Sequence, residues 1–309
     1  MFSVIMPLYN KRDTILESVA SVLNQTFQEF ELIIVDDGST DGSADLVKDV
    51  QDKRIHLYRK ANGGVSAARN DGIERATREY ICFLDADDIW ETNHLQTLKE
   101  LIDTVPDCGI YSTCFQQENN DGSSYSPNLG SEHILVVDDI FEIELQHKTV
   151  LHTDSICIKK NIIRDAGGFI IGERIGEDTS LWYRIAAFHA VAIINRVTTI
   201  YRMKYSSAIN MHGFINRNWS FLRYYEERIK ESDVIPERKK KNIALFINSY
   251  RHSIVRHELL GGKRKEAFVD MRKVSLTLSE CTEYAITLAC FLIPRKQLLR
   301  IYTRRGIMR

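Results

Sequence analysis

Apolar positions along the first third of the chain follow two alternating rhythms. Phe2–Leu8 is a nearly continuous apolar run, the pattern of a strand buried on both faces of a parallel sheet. Ile15, Val19, Val22 and Leu23 then recur on one helical face, with Asp13 placed as the N-cap. The alternation repeats through strand Phe30–Val35, a short helix with Leu46, Val47 and Val50 inward, and strand Arg54–Tyr58. It continues through a small-residue helix Val65–Ala76 suited to close packing, and strand Tyr80–Leu84. A helix marked by Leu95, Leu98, Leu101, Ile102 and Val105 and a strand Gly109–Phe115 complete the series. Repeated strand–helix–strand units predict an α/β fold: an open, mostly parallel sheet with helices on both faces.

Beyond Phe115 the rhythm weakens. Gln116–His133 is rich in Asn, Gly, Ser and Asp and reads as a long surface loop. Asp154–Ile158, Val191–Ile194 and Thr198–Arg202 read as strands, and Thr179–Ala187 as a helix. From Phe214 onward helical patterns and basic residues dominate.

Charge sharpens this division. The chain of 309 residues is nearly neutral, with 41 Lys and Arg against 42 Asp and Glu. From Arg223 to the end, however, 20 basic residues face 10 acidic ones, so an acidic body carries a basic tail. Ala285–Ile293, the longest apolar run, stops at Pro294, far short of the ~20 residues that cross a bilayer. Met1 leads directly into the first strand without a basic leader, so a cytoplasmic protein is expected. The six cysteines contain no CxxC pair and read as small buried hydrophobes, not a zinc site.

In an open α/β sheet, ligands bind beyond the carboxyl ends of the strands. Tyr9-Asn10, Asp36-Asp37, Asn62-Gly63-Gly64 and Asp85-Ala86-Asp87-Asp88 all fall just after predicted strands. Asp85 and Asp87, spaced i, i+2 in a turn, can aim two carboxylates at one hard cation such as Mg2+ or Mn2+. They also fit a solvated acidic turn with Asp88 as a helix N-cap. Asp36-Asp37-Gly38-Ser39 can end a strand in a turn, or accept hydrogen bonds from a nucleobase stacked on Tyr9. Gly63 and Gly64 permit close backbone approach to a ligand, without either established phosphate-loop spacing. Glu177-Asp178 ahead of a helix can cap it or supply a general base.

Taken in order, these segments, with Ser3–Asn10, Val35–Asp41, Asn62–Asn70, Phe83–Asp88 and Gly176–Asp178, resemble the family 2 inverting glycosyltransferases over about the first 210 residues. The resemblance implies a GT-A fold, with residues 1–213 as the transferase domain and 214–309 as a basic helical C-terminal region. Within that domain, 1–115 would form the nucleotide-binding half and 116–213 the acceptor half, around one mixed sheet. It implies that Tyr9 stacks on the donor base, Asp37 reads a uracil edge, and Asp36 assists at the ribose. Pro7, Asn62, Gly63, Arg69 and Ala86 would also line the donor site. Asp87 and Asp85 would hold Mn2+ or Mg2+, Asp87 more directly, and Asp178 would be the catalytic base with Glu177 beside it. Gly167-Gly168-Phe169 matches the turn before the acceptor site. Tyr201-Arg202-Met203-Lys204 departs from a motif that often reads Tyr-Arg-x-His. A charged ammonium cannot ligate a cation, so Lys204 is expected at phosphate or at the surface.

The function implied is transfer of a sugar from a nucleotide-sugar donor, UDP-linked, to a hydroxyl of a glycan or lipid-linked acceptor. A non-catalytic sugar-nucleotide binder is the alternative, and the presence of every acid argues against it. The tail from 285 to 309 mixes apolar and basic residues, suiting either a solvated helical cap or peripheral contact with the inner face of the membrane. Nucleic-acid binding is not expected, because interleaved stacking aromatics and known modules are missing.

Overall fold

The computed structural model describes residues 1–309 apart from 128, 131–132, 147–149, 174, 206–218, 276–280 and 305–309. The chain divides into two compact units, Met1–Ser206 and Ser207–Arg309. The boundary expected at 213/214 lies outside the described residues.

The first unit runs β1 (Phe2–Leu8), α1 (Ile15–Leu23), β2 (Phe30–Asp36), α2 (Ser43–Lys48), β3 (Ile55–Arg59) and α3 (Val65–Arg75). It continues with β4 (Tyr80–Phe83), β5 (Ile89–Trp90), α4 (His94–Thr104), β6 (Ile110–Glu118), β7 (Ser124–Tyr125), β8 (Ile134–Val137) and α5 (Ile140–Glu144). β9 (Ile156–Lys159), α6 (Lys160–Asp165), α7 (Glu177–Ala186) and β10 (Val191–Arg202) complete it. The strands form one sheet ordered β3-β2-β1-β4-β9-β6-β10-β5, with β7 on β6 and β8 on β10. The first four in that order are parallel. β9 then runs antiparallel between β4 and β6, so the sheet is mixed rather than mostly parallel.

Several elements depart from the periodicity. β10 is one strand where two were expected, because the polar pair Asn195-Arg196 falls in a bulge that shifts register between Ile194 and Thr199. The stretch read as a loop after Phe115 carries the end of β6 and the short β7, and β8 follows directly on it. Asp154 precedes its strand, in a 3-10 turn Thr153–Ser155. Asp13 is exposed and Thr14 holds the N-cap position of α1. There the Lys11 carbonyl accepts from both Thr14 N and Ile15 N, so a tight turn satisfies the helix start without a side-chain cap.

Period-2 alternation in β1 sets the two faces of the core. Phe2, Val4, Met6 and Leu8 pack with Ile15, Val19 and Val22 of α1 and with Leu95 and Leu98 of α4. Ile5 points the other way, against α3, where Gly72 leaves room: a Cβ there would lie 2.5 Å from Ile5 Cγ2. The close packing expected of the small-residue helix rests on that glycine. Phe83, Phe169 and Trp182 form an aromatic group with ring centroids 5.4–5.7 Å apart, tying β4 to α7.

The second unit is helical. α8 (Ser220–Tyr224) continues into a π-helical turn Tyr225–Ile229, followed by α9 (Glu237–Leu260), α10 (Arg264–Met271), α11 (Cys281–Leu292) and α12 (Arg295–Arg304). Val255, Leu259, Ala267, Met271, Cys290 and Leu298 bury together in its core. Among the described residues, no helix is long and apolar enough to cross a membrane. All six cysteines are free thiols, and five are buried.

Candidate active site

The carboxyl ends of β1, β2, β3 and β4 deliver the predicted polar segments to one edge of the sheet. Because β9 runs the other way, its amino end arrives at the same edge and brings Asp154 beside Asp85.

On the β1–β2 side, Pro7 is half-buried and Tyr9 half-exposed, with its ring clear of the core. The turn after it is fixed by Asn10, which adopts a positive φ of 51°. Asn10 N donates to Ser39 Oγ at 3.0 Å, and Asn10 Oδ1 accepts from Thr40 N at 2.8 Å. Asp36 is fully buried, accepting from Ser39 N at 2.8 Å and paired with Arg59 Nε at 3.0 Å. Asp37 Oδ1 accepts from Gly63 N and Lys60 Nζ, both at 2.9 Å, and Oδ2 from Gly64 N at 2.7 Å. Its carboxylate therefore shapes the Asn62-Gly63-Gly64 loop, and Asn62 and Gly63 stand exposed beside it.

Arg69, on α3, is almost wholly buried and joins two sides of the site. Its Nη1 donates to Glu177 Oε1 at 3.0 Å, and its Nη2 to Asp85 Oδ1 and Oδ2 at 2.8 and 3.2 Å. Burial alone would ease proton loss from the guanidinium, but Asp85, Glu177 and Asp178 outweigh it and hold the charge in place. Next to Arg69, Asn70 locks the expected acceptor-side turn: its Nδ2 donates to Phe169 O at 2.8 Å, and its Oδ1 accepts from Phe169 N at 2.9 Å. Gly168 has φ 65°, and a Cβ there would lie 2.9 Å from Asn70 Oδ1.

The acidic turn is more deeply built than its sequence suggested. Asp85 N donates to Asp154 Oδ1 at 2.8 Å, and the small Ala86 is buried with its carbonyl accepting from Thr14 Oγ1 at 2.9 Å. Asp87 Oδ2 is ion-paired with Lys11 Nζ. Burial and the neighbouring Asp85 raise the pKa of Asp87, opposed by Lys11. Asp88 does not cap a helix; it accepts from Arg202 N at 2.7 Å, and burial beside Asp154 lifts its pKa well above the carboxylate range. Asp154 is pushed up to about 6 by burial and by Asp85.

Asp85, Asp88 and Asp154 each place a carboxylate oxygen within 4.8 Å of the others, a set that could hold a metal ion. All donors are hard oxygens, and Asp154 Oδ2 is buried, makes no hydrogen bond among the described residues and faces His152 Nδ1 at 3.5 Å, so the cluster fits a divalent cation of the Mg2+ or Mn2+ type.

Glu177 and Asp178 open α7 after Gly176, whose φ of 76° turns the chain into the helix. Burial, then the charge of Asp178, pushes Glu177 up to about 7 against the pull of Arg69. Asp178 Oδ1 accepts from Thr179 N at 2.6 Å, while Thr153 Oγ1 donates to its Oδ2 at 2.9 Å. Lys204 is exposed, its ammonium 5.2 Å from the centroid of Tyr205, which Arg202 also approaches at 4.9 Å.

Lys11, Thr153 and Asp154 are site neighbours that the patterning did not single out, whereas Arg202 stands in the Tyr201–Lys204 motif. Lys11 follows Tyr9-Asn10 directly, and Thr153-Asp154 stand as a polar pair just before a strand. Those signals were present in the sequence but are common to many turns.

Residues 3–163 match the glycosyl transferase family 2 model. The Bacillus subtilis (strain 168) glycosyltransferase TuaG, provisionally named for teichuronic acid biosynthesis, is 30% identical over 254 residues, which are 75% of this chain and 97% of TuaG. The structure of S. aureus TarS 1–349 in complex with UDP-GlcNAc superimposes with a TM-score of 0.67 at 20% identity, over 93% of this chain and 79% of that one. The mannosyltransferase PcManGT of Pyrobaculum calidifontis, solved with GDP-Man and Mn2+, gives 0.59 at 15% identity, over 99% and 84%. At these identities the two structures establish a shared GT-A-like fold.

Proposed function

Since this chain belongs to glycosyltransferase family 2, we propose that it moves a sugar, with inversion, from a UDP-linked donor to a hydroxyl of a glycan or lipid-linked acceptor in cell-surface polysaccharide assembly. The observation that carries this reading is the Arg69 bridge. One buried guanidinium ties Asp85, on the donor side in this reading, to Glu177, next to the base Asp178. TarS with UDP-GlcNAc and the name of TuaG support the donor class and the pathway type.

In this reading residues 1–115 serve the nucleotide, 116–213 the acceptor, and 214–309 form a separate basic helical region. Tyr9 offers a half-exposed ring for base stacking, and Asp36 and Asp37 set the loops around it. Pro7, Asn62, Gly63, Ala86 and Lys204 line the same edge. Asp87 and Asp85, backed by Asp88 and Asp154, would hold Mn2+ or Mg2+, which when bound offsets the charge of the leaving diphosphate. Asp178 takes the proton of the acceptor hydroxyl as that oxygen attacks the anomeric carbon from the face opposite the diphosphate. Thr153 and the Thr179 amide fix the Asp178 carboxylate for this role. Glu177 stands beside the base, its carboxylate held by Arg69.

Peripheral contact with the inner membrane face through 285–309 fits a lipid-linked acceptor. α11 exposes Ile286, Leu288 and Leu292, and Arg295, Lys296 and Arg300 of α12 are exposed too. Flotation with anionic liposomes, with and without residues after 285, tests this contact.

Calorimetric titration with UDP, with and without Mn2+, tests the central reading. Micromolar binding that needs the metal, followed by hydrolysis or transfer from a UDP-sugar panel, is the expected result. Silence with UDP, GDP and dTDP alike would overturn it.

A further inference from the structure

We propose that Lys11 is a built-in exchangeable cation of the donor site: its ammonium neutralises Asp87 while the site is empty and passes to the donor diphosphate when a divalent cation takes the carboxylate. The inference rests on the donor-site reading above. Asp87 is a poorly solvated carboxylate, its side chain 9% exposed, and Lys11 Nζ is paired with its Oδ2. A buried carboxylate left without a partner is strongly unfavourable, so some positive charge has to stand there.

Among the described residues, the guanidinium groups next to the acids are committed, and Lys204 stands exposed against the Tyr205 ring. Arg69 is forked between Asp85 and Glu177. Arg202 donates its Nε to the Asp87 carbonyl at 2.6 Å and its Nη1 to Glu17 at 2.5 Å. Lys11 differs in chemistry. It is a compact charge on a flexible four-carbon stem with three rotatable donors, and its side chain is 22% exposed at the mouth of the site. Among the described residues its ammonium also donates to one carbonyl, that of Tyr205 at 2.8 Å.

Two cations cannot share one carboxylate oxygen at contact distance without strong repulsion. A divalent ion that takes Asp87 Oδ2, the oxygen Lys11 holds, therefore displaces the ammonium. The residue before Lys11 is fastened to Ser39 and Thr40, so the stem pivots from a fixed point. The released charge stays at the same mouth, where diphosphate oxygens accept it. Metal without nucleotide must compete with Lys11, whereas metal with nucleotide gives the lysine a new partner. The lysine thus makes metal binding favour the donor-loaded state.

The test is Mn2+ binding measured directly, by calorimetry or by the EPR signal of free Mn2+, on the full chain and on Lys11→Met and Lys11→Arg. Without nucleotide, Lys11→Met should bind Mn2+ about tenfold more tightly than the unaltered protein. At saturating Mn2+ it should bind UDP about tenfold more weakly, because the displaced ammonium no longer meets phosphate. Lys11→Arg keeps the charge and should show no gain in Mn2+ affinity. Thermal melting checks that both variants fold; should Lys11→Met not fold, Lys11→Gln carries the same comparison. Equal or weaker Mn2+ binding by the neutral variant would overturn the proposal. An unaltered protein that binds neither Mn2+ nor UDP would overturn the donor-site reading as well.

Discussion

Asn70 and Phe169, 99 residues apart in sequence, are joined by two reciprocal hydrogen bonds, side-chain amide to backbone N–H and C=O. The pair welds α3, which also carries Arg69, to the turn ahead of α7. Helix and turn are therefore held in register at this point. Asn70→Ala leaves two backbone groups unpaired and should lower stability by about 1–3 kcal/mol. Urea unfolding midpoints measure this, and UDP affinity should stay close to that of the unaltered protein.

Arg69 is a harsher case. Its side chain is 3% exposed and faces two carboxylates, so Arg69→Met strands buried charge at Asp85 and Glu177. A loss of about 3–5 kcal/mol in stability is expected, with transfer activity nearly abolished. Arg69→Lys should rescue only part of this, because one ammonium cannot reproduce a fork that spans two acids. Denaturation curves and initial rates of the two variants, side by side, check the order.

Asp178→Asn separates chemistry from binding. Removing the base should lower kcat by about 10²–10⁴-fold and leave UDP affinity nearly intact. A matched fall in UDP affinity would remove Asp178 from the base role. Asp87→Ala should instead weaken metal-dependent UDP binding, and an unchanged metal response would exclude it from the cation site.

His94 predicts a pH effect on stability that is independent of catalysis. The ring is fully buried, stacked 4.1 Å from Trp90, and its Nδ1 lies 2.8 Å from Thr198 Oγ1. Burial lowers its pKa from 6.5 to about 3. The unfolded chain then binds a proton that the folded one refuses, so His94 supports the fold fully above pH 6.5 and loses that support as pH falls towards 3. The slope attributable to this residue is about 1.4 kcal/mol per pH unit. Urea melts at pH 4.5 to 7 should show a shallower acid slope for His94→Gln than for the unaltered chain.

Much of this architecture is legible in the chain because β1 to β4 and their helices are regular. Runs such as Phe2–Leu8 have only one way to bury both faces, and polar residues at their ends must then crowd one edge. The acceptor side resisted reading for physical reasons. β9 is four residues long and antiparallel, and periodicity carries no information about which neighbour a strand selects. β10 hides a bulge behind Asn195-Arg196, which imitates a break between strands. At the site, the residue types of the acids were visible, but their partners were not. Lys11 reaches Asp87 across 76 residues and Asp154 reaches Asp85 across 69, contacts that only the assembled sheet creates.

The position of β9 has a further consequence. β6 and β9 are hydrogen-bonded neighbours, so the stretch leaving Glu118 returns to Ile156 on the adjoining strand. Ile156 pairs with Ser112, so Glu118 stands six residues, about 20 Å, further along β6 than the point of return. The entropy of closing such an excursion grows only with the logarithm of its length. β8 on β10 and the buried Ile140 and Phe141 of α5 fix much of this stretch, so the exposed turn at Asp121-Gly122 is where length can change at little cost to folding, while Thr153 and Asp154 keep their places.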